Sequence, residues 1–71
     1  MSRTKALIGY RIKAKRIEMG LTQQELAAKL LVDRQYISKL EGGKINMSLD
    51  YLDKVLTELN CTVDELFINN K

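Results

Sequence analysis

Histidine is missing from this 71-residue chain, and cysteine occurs once, as Cys61. Without an imidazole, the ordinary general base near neutral pH and the commonest metal ligand are both gone. A single thiol has no partner for a disulfide or a thiolate metal cluster. Neither metal chemistry nor His-based catalysis is therefore expected, and no cofactor. Cys61 reads as a small buried hydrophobe between two helices. Proline is absent too, and no stretch is of low complexity or resembles an interdomain linker. No apolar run approaches the ~20 residues of a membrane helix, and no basic-then-apolar signal opens the chain at Met1-Ser2-Arg3-Thr4. The expectation is a cytoplasmic, reduced protein without membrane association.

What is present fits a single domain over residues 1–71. A chain of this length buries only roughly 60% of the surface its unfolded form exposes, so its core must be nearly all structural. That leaves little room for an enclosed active site or a small-molecule pocket, and an enzyme is not expected. Charge is distributed unevenly. Nine Lys and Arg stand against three Asp and Glu up to Leu40, a balance of +6, and three against six from Glu41 onward, a balance of −3, within a total of +3. The basic half is suited to a phosphate-bearing surface.

The periodicity is helical throughout. From about Lys5 to Glu18, Leu7, Ile8, Ile12 and Met19 are placed on one inner stripe, and Gly20 ends the segment. Thr22-Gln23-Gln24-Glu25 is a capping box that opens a second helix through Leu26, Ala27 and Leu30. Asp33 is the N-cap of a third, Arg34 to about Glu41, which Gly42-Gly43 breaks. Ser48 caps a fourth carrying Leu49, Leu52, Val55, Leu56 and Leu59 to a stop at Asn60, and Thr62 to Glu65 is a second capping box before a short fifth helix with Val63, Leu66 and Phe67. The fold class is all-α with five helices.

The unit from Gln23 to Glu41 discriminates among helical bundles. Two helices crossing steeply over a tight turn need a small residue at the crossing and apolar residues facing inward from both. Ala27 is the small residue, and Leu26, Leu30, Val32, Ile37 and Leu40 are the inward set. Arg34, Gln35, Tyr36, Ser38 and Lys39 then fall largely outside, a row able to form hydrogen bonds.

The run Arg11 to Ala27, with Tyr36-Ile37-Ser38-Lys39-Leu40-Glu41-Gly42-Gly43-Lys44 after it, resembles the DNA-binding domain of the lambdoid phage repressor and Cro family, Cro/C1-type or XRE-like. With Ser48 to Leu59 and Val63 to Phe67 added, the likeness runs from Ile8 over nearly the whole chain. It implies that family's five-helix helix-turn-helix fold. The recognition helix, 34–41, would enter the major groove of double-stranded DNA, and a homodimer would bind a palindromic operator. The function implied is transcriptional regulation. Asp33-Arg34-Gln35-Tyr36-Ile37-Ser38 is most similar to the recognition helix of restriction-modification controller proteins. Two positions depart from the pattern: Leu31 stands where the family has glycine in the turn, and Met47 where proline often precedes the fourth helix. A left-handed Leu31 would be strained by ~1 kcal/mol or more; otherwise the turn must be reshaped.

Roles follow from the resemblance together with side-chain chemistry. Arg34 suits a bidentate contact with guanine, Gln35 with adenine, and Lys39 lies one turn on; these are the expected base readers. Gln23 at the start of the second helix is expected at a phosphate, with Ser38 and the loop residues Lys44 and Asn46 as further backbone contacts. Tyr36 either reaches a phosphate or thymine methyl or packs against the second helix. Arg16 and Glu41 match a buried ion pair of the family, a structural role. Tyr51, Leu59, Val63, Phe67 and Ile68 form an apolar surplus that either closes the domain or serves the dimer interface. The competing reading is a protein-interaction module such as an antitoxin-like partner, against which stands the short stretch beyond the fifth helix.

Overall fold

The computed structural model describes residues 3–67, and of Phe67 the backbone alone. Five helices follow in order: α1 Arg3–Glu18, α2 Gln23–Leu30, α3 Arg34–Glu41, α4 Leu49–Glu58 and α5 Val63–Phe67. Their starts are fixed by local side-chain chemistry. The Glu25 amide donates to Thr22 Oγ1 at 3.0 Å while the Thr22 amide donates to Glu25 Oε1 at 2.8 Å, satisfying two of the donors a helix start leaves unpaired. Thr62 and Glu65 repeat that box ahead of α5. Asp33 Oδ1 accepts from the Tyr36 amide at 2.8 Å, and Ser48 Oγ from the Tyr51 amide at 3.0 Å.

Helix α3 packs on both α1 and α2, α2 also on α4, and α1 also on α5. The core between them is aliphatic: Ile12 from α1, Leu26, Ala27 and Leu30 from α2, Ile37 and Leu40 from α3, Leu52, Val55 and Leu56 from α4, and Leu59 and Leu66 near the C-terminal end. Ala27 is fully buried at the α2–α3 crossing, where a larger side chain would force the helices apart.

The structure corrects several expectations. Helix α1 begins at Arg3, and its buried face is Gly9, Ile12 and Arg16; Leu7 and Met19, expected on the inner stripe with Ile8 and Ile12, are exposed. Leu49, first of the apolar repeat on the fourth helix, is 82% exposed because it opens α4 one turn ahead of the buried row. Leu59 was expected at a dimer interface and is 0% exposed. It lies one turn beyond Val55 on the same inner face and has no surface to offer a partner. Tyr51 is half-buried against the core, Val63 is exposed, and the Phe67 side chain and Ile68 lie outside the described residues.

Two backbone features set the geometry. At the α2–α3 turn Leu31 adopts φ 60°, ψ 41°, the left-handed conformation, and its amide donates to the Ala27 and Ala28 carbonyls. The turn thus keeps the shape glycine would give it, with a leucine that is 86% exposed. At the other end of α3, α1 makes backbone contact: a methyl group on Gly9 would lie 2.5 Å from the Leu40 carbonyl oxygen and 2.6 Å from that of Glu41. A methyl group on Gly43, at φ +76°, would lie 2.7 Å from Ala6 Cα.

Opposite stability changes are expected at these two places. Leu31→Gly removes a left-handed penalty of ~1–2 kcal/mol without uncovering buried surface, less the flexibility glycine adds to the unfolded chain, a net gain of roughly 0.5–1 kcal/mol. Gly9→Ala overpacks a backbone contact and should lose about 1–3 kcal/mol. Urea unfolding midpoints at unchanged slope measure both.

Candidate nucleic-acid interface

The outer face of α3 is built by its amphipathic register. Ile37, Leu40 and Glu41 are buried, while Arg34, Gln35, Ser38 and Lys39 are exposed. Arg34 with Ser38, and Gln35 with Lys39, are each one turn apart, so the four form a continuous polar ridge. No carboxylate interrupts it: the nearest acids in the chain, Asp33 and Glu41, are an N-cap and a buried ion-pair partner. Lys44 and Asn46 follow, both exposed, in the loop after α3.

Beneath the ridge is a relay of hydrogen bonds. Arg16 Nε lies 2.6 Å from Glu41 Oε2 and Arg16 Nη2 donates to Oε1 at 3.2 Å. The remaining guanidinium nitrogen, Nη1, donates to the Leu21 carbonyl at 2.7 Å. Gln23 Nε2 also donates to Glu41 Oε1, at 3.0 Å. With the amide nitrogen taken by the carboxylate, Gln23 Oε1 points the other way and accepts from Arg34 Nη1 at 3.3 Å. A chain of contacts thus runs from α1 through the end of α3 and the start of α2 to the first residue of α3. Gln23, expected at a phosphate, spends its side-chain oxygen on Arg34 and one amide hydrogen on Glu41.

Tyr36 is half-buried and meets Tyr51 of α4 edge to face, ring centroids 6.0 Å apart and planes at 90°. Of its two expected uses the packing one is visible, against the core and with Tyr51 of α4. Two residues were not singled out by sequence. Lys5 Nζ donates to Asn46 Oδ1 at 2.6 Å, tying α1 to the loop beside Lys44, and Gly9 admits α1 to the end of α3. Signals existed for both. Lys5 shares the inner row of Ile8 and Ile12, and a mid-helix glycine, disfavoured by about 1 kcal/mol against alanine, marks close approach.

The remaining chemistry is sparse. Burial pushes the half-buried Cys61 thiol above its ordinary pKa, and its Sγ donates to the Thr62 carbonyl at 3.4 Å. Among the described residues no group of three His, Cys, Asp or Glu is placed to hold a metal ion, and no helix is long and apolar enough to cross a membrane.

Known proteins are similar to this chain in sequence and in fold. A family profile described as helix-turn-helix matches residues 12–66. The control protein C.MunI of a Mycoplasma species is 40% identical over 68 residues, 94% of this chain and 92% of its own. Among solved structures, the restriction-modification controller protein C.Esp1396I, captured as a tetramer in complex with its natural 35 base-pair operator, superposes with a TM-score of 0.83 at 31% identity, covering 94% of this chain and 88% of that one. The controller protein C.AhdI from Aeromonas hydrophila gives a TM-score of 0.82 at 33% identity, covering 93% of this chain and all of its own.

The ion pair yields a prediction by its burial. Arg16→Ala leaves Glu41 charged and buried, and Glu41→Ala does the same to Arg16; each should lose ~3–5 kcal/mol. A domain of this size has on the order of 4–10 kcal/mol in all, so either variant should lose roughly a third or more of its stability and unfold at much lower urea than the parent. The double replacement Arg16→Met with Glu41→Leu, which removes both charges, should unfold at higher urea than either single variant.

Proposed function

This chain belongs to the helix-turn-helix family, and from that premise we propose that it is a transcriptional regulator that reads double-stranded DNA as a homodimer. The observation that carries the reading is the uninterrupted polar ridge of α3, with the start of α2 on one side and the Lys44–Asn46 loop on the other. Gln23 at the start of α2 and Arg34 at the start of α3 are joined through their side chains, Arg34 Nη1 donating to Gln23 Oε1 at 3.3 Å, and a helix N-terminus favours an anion. A phosphate backbone fits there while the ridge lies in the major groove.

In this reading Arg34, Gln35 and Lys39 read base edges. Ser38, Lys44, Asn46 and the start of α2 at Gln23 bind the backbone, and Tyr36 is held for a backbone or methyl contact by its packing on Tyr51. Backbone contacts set register, and base contacts set sequence. The dimer would form through the C-terminal side, where Val63 is exposed and Tyr51 half-buried, with the remaining expected contacts, Phe67 and Ile68. It would place two recognition helices about 34 Å apart on a palindrome. C.MunI and C.Esp1396I are named as control or controller proteins; by similarity a regulatory role of that kind, in the cytoplasm, is proposed, with residues 1–71 acting as one DNA-binding domain without catalysis.

Selection of bound duplexes from a random pool tests this. Enrichment of a palindrome is expected. Arg34→Ala should relax preference at one base pair per half-site, by ~1–3 kcal/mol. Lys44→Ala should weaken all sequences alike and reduce the salt dependence by about one ion per subunit. A pool that yields no enriched sequence, with binding that only follows salt, would overturn the reading.

A further inference from the structure

Helix α1 carries an apolar row that the described residues leave uncovered. Leu7, Tyr10, Ala14 and Ile17 follow at steps of three, four and three residues, the a and d spacing of a helix that packs lengthwise on another. All four are exposed, Tyr10 at 65% and Ile17 at 57%. Tyr10, Lys13, Ala14 and Ile17 line a shallow trough in which Ala14 is the floor between two larger side chains. The opposite face, Gly9, Ile12 and Arg16, is the one buried against the domain. The outer row is a separate feature, and a regular apolar row in water marks a contact surface.

Charge selects its occupant. In the same register Arg11 and Lys13 take the flanking e and g positions, and Arg3 lies in line at the N-terminal end. The carboxylate on a flank, Glu18, is already paired with Lys15 at 3.3 Å. Arg11 is half-buried, its Nε enclosed and without a hydrogen-bond partner among the described residues, so of the two flanking cations Lys13 is the exposed one. A second copy of this chain fits poorly. In an antiparallel pair each flank faces its own counterpart, setting Arg11 against Arg11 and Lys13 against Lys13; a parallel pair must first draw Glu18 away from Lys15. We infer that the outer face of α1 is a docking surface for an acidic amphipathic helix of another protein, apolar at its own a and d positions and Asp- or Glu-bearing on its flanks. The row from Leu7 to Ile17 is about 15 Å long at 1.5 Å per residue, so three turns of partner helix cover it. Because the opposite side of α1 faces the end of α3, the partner and a ligand on the α3 ridge approach from different sides.

The test uses the full chain and a synthetic peptide of about three heptads with Leu at a and d and Glu at e and g, followed by fluorescence anisotropy at about 0.05 M salt. Saturable binding is expected, weakened several-fold at about 0.3 M salt. Ile17→Glu should lower affinity by at least ~10-fold through loss of an apolar anchor and addition of a like charge, and Lys13→Glu by ~3-fold or more. Both positions are exposed, so unchanged helical circular dichroism checks that the fold is kept. Arg34→Ala and Lys44→Ala should bind the peptide as the parent does, which separates this surface from the proposed DNA face and makes the result independent of that reading. No binding, or equal binding of a peptide with Lys on its flanks, would overturn the inference. So would loss of binding in Arg34→Ala and Lys44→Ala with Ile17→Glu unaffected. Sedimentation in which the parent chain self-associates and Ile17→Glu abolishes it would assign the face to a second copy instead.

Discussion

Glu41 closes α3 with a negative charge, at the end of a helix where the macrodipole already disfavours one, and it is buried. Three donors make that position tenable: Arg16 Nε, Arg16 Nη2 and Gln23 Nε2. Two come from Arg16 of α1 and one from Gln23 at the start of α2, so satisfying one carboxylate fixes α1, α3 and the start of α2 relative to one another. Arg16 extends the constraint through the Leu21 carbonyl to the link between α1 and α2. The arrangement is energetically expensive to leave half-made, which is why it holds a single geometry.

The same carboxylate reaches the surface. A glutamine amide has a donor end and an acceptor end, and Glu41 can engage only the donor. Gln23 therefore turns an oxygen outward, and that oxygen suits a guanidinium. Arg34 is held at the α2–α3 corner in the free protein, so part of the side-chain freedom an arginine would lose on contacting a base is already lost. In the turn that leads into Arg34, the left-handed Leu31 and the hydrogen bonds from its amide to the Ala27 and Ala28 carbonyls keep the link tight. The polar ridge of α3 is accordingly framed by two local constraints, one electrostatic and one conformational, and both lie beneath or beside it.

Helix positions were legible because the signals are local. Thr22, Asp33, Ser48 and Thr62 cap helices whatever the rest of the chain does, and the steps Leu52, Val55, Leu56 and Leu59 define one face of α4. The outward set on α3 was legible for the same reason. What the pattern could not decide was which of two apolar rows on α1 faces inward. Ile8 and Ile12 belong to one and Leu7, Tyr10, Ala14 and Ile17 to the other, and hydrophobicity alone favours the outer, fuller row. The inner face is set instead by Gly9 and Arg16, a missing side chain and a charge, whose worth appears only when the end of α3 is beside them. Leu59 failed for the converse reason: an apolar surplus near the C-terminus cannot show which members the core absorbs. Gln23 was legible in place but not in orientation, since the orientation depends on a carboxylate 18 residues away.

The two rows of α1 therefore divide the labour of one short helix. The inner row is locked: Gly9 lets the backbones of α1 and α3 meet, Arg16 is bonded to Glu41, and a shift of α1 by even one residue would drive a side chain into the Leu40 carbonyl. Anything seated on the outer row inherits that rigidity, because a helix held by backbone contact and a buried ion pair transmits position better than one held by flexible side chains. A partner on α1 would then stand in a fixed orientation to the recognition ridge of α3, although no residue of the ridge touches it. For a chain this small, that is a structural route by which a protein bound to one face could be presented in a defined direction by whatever holds the other.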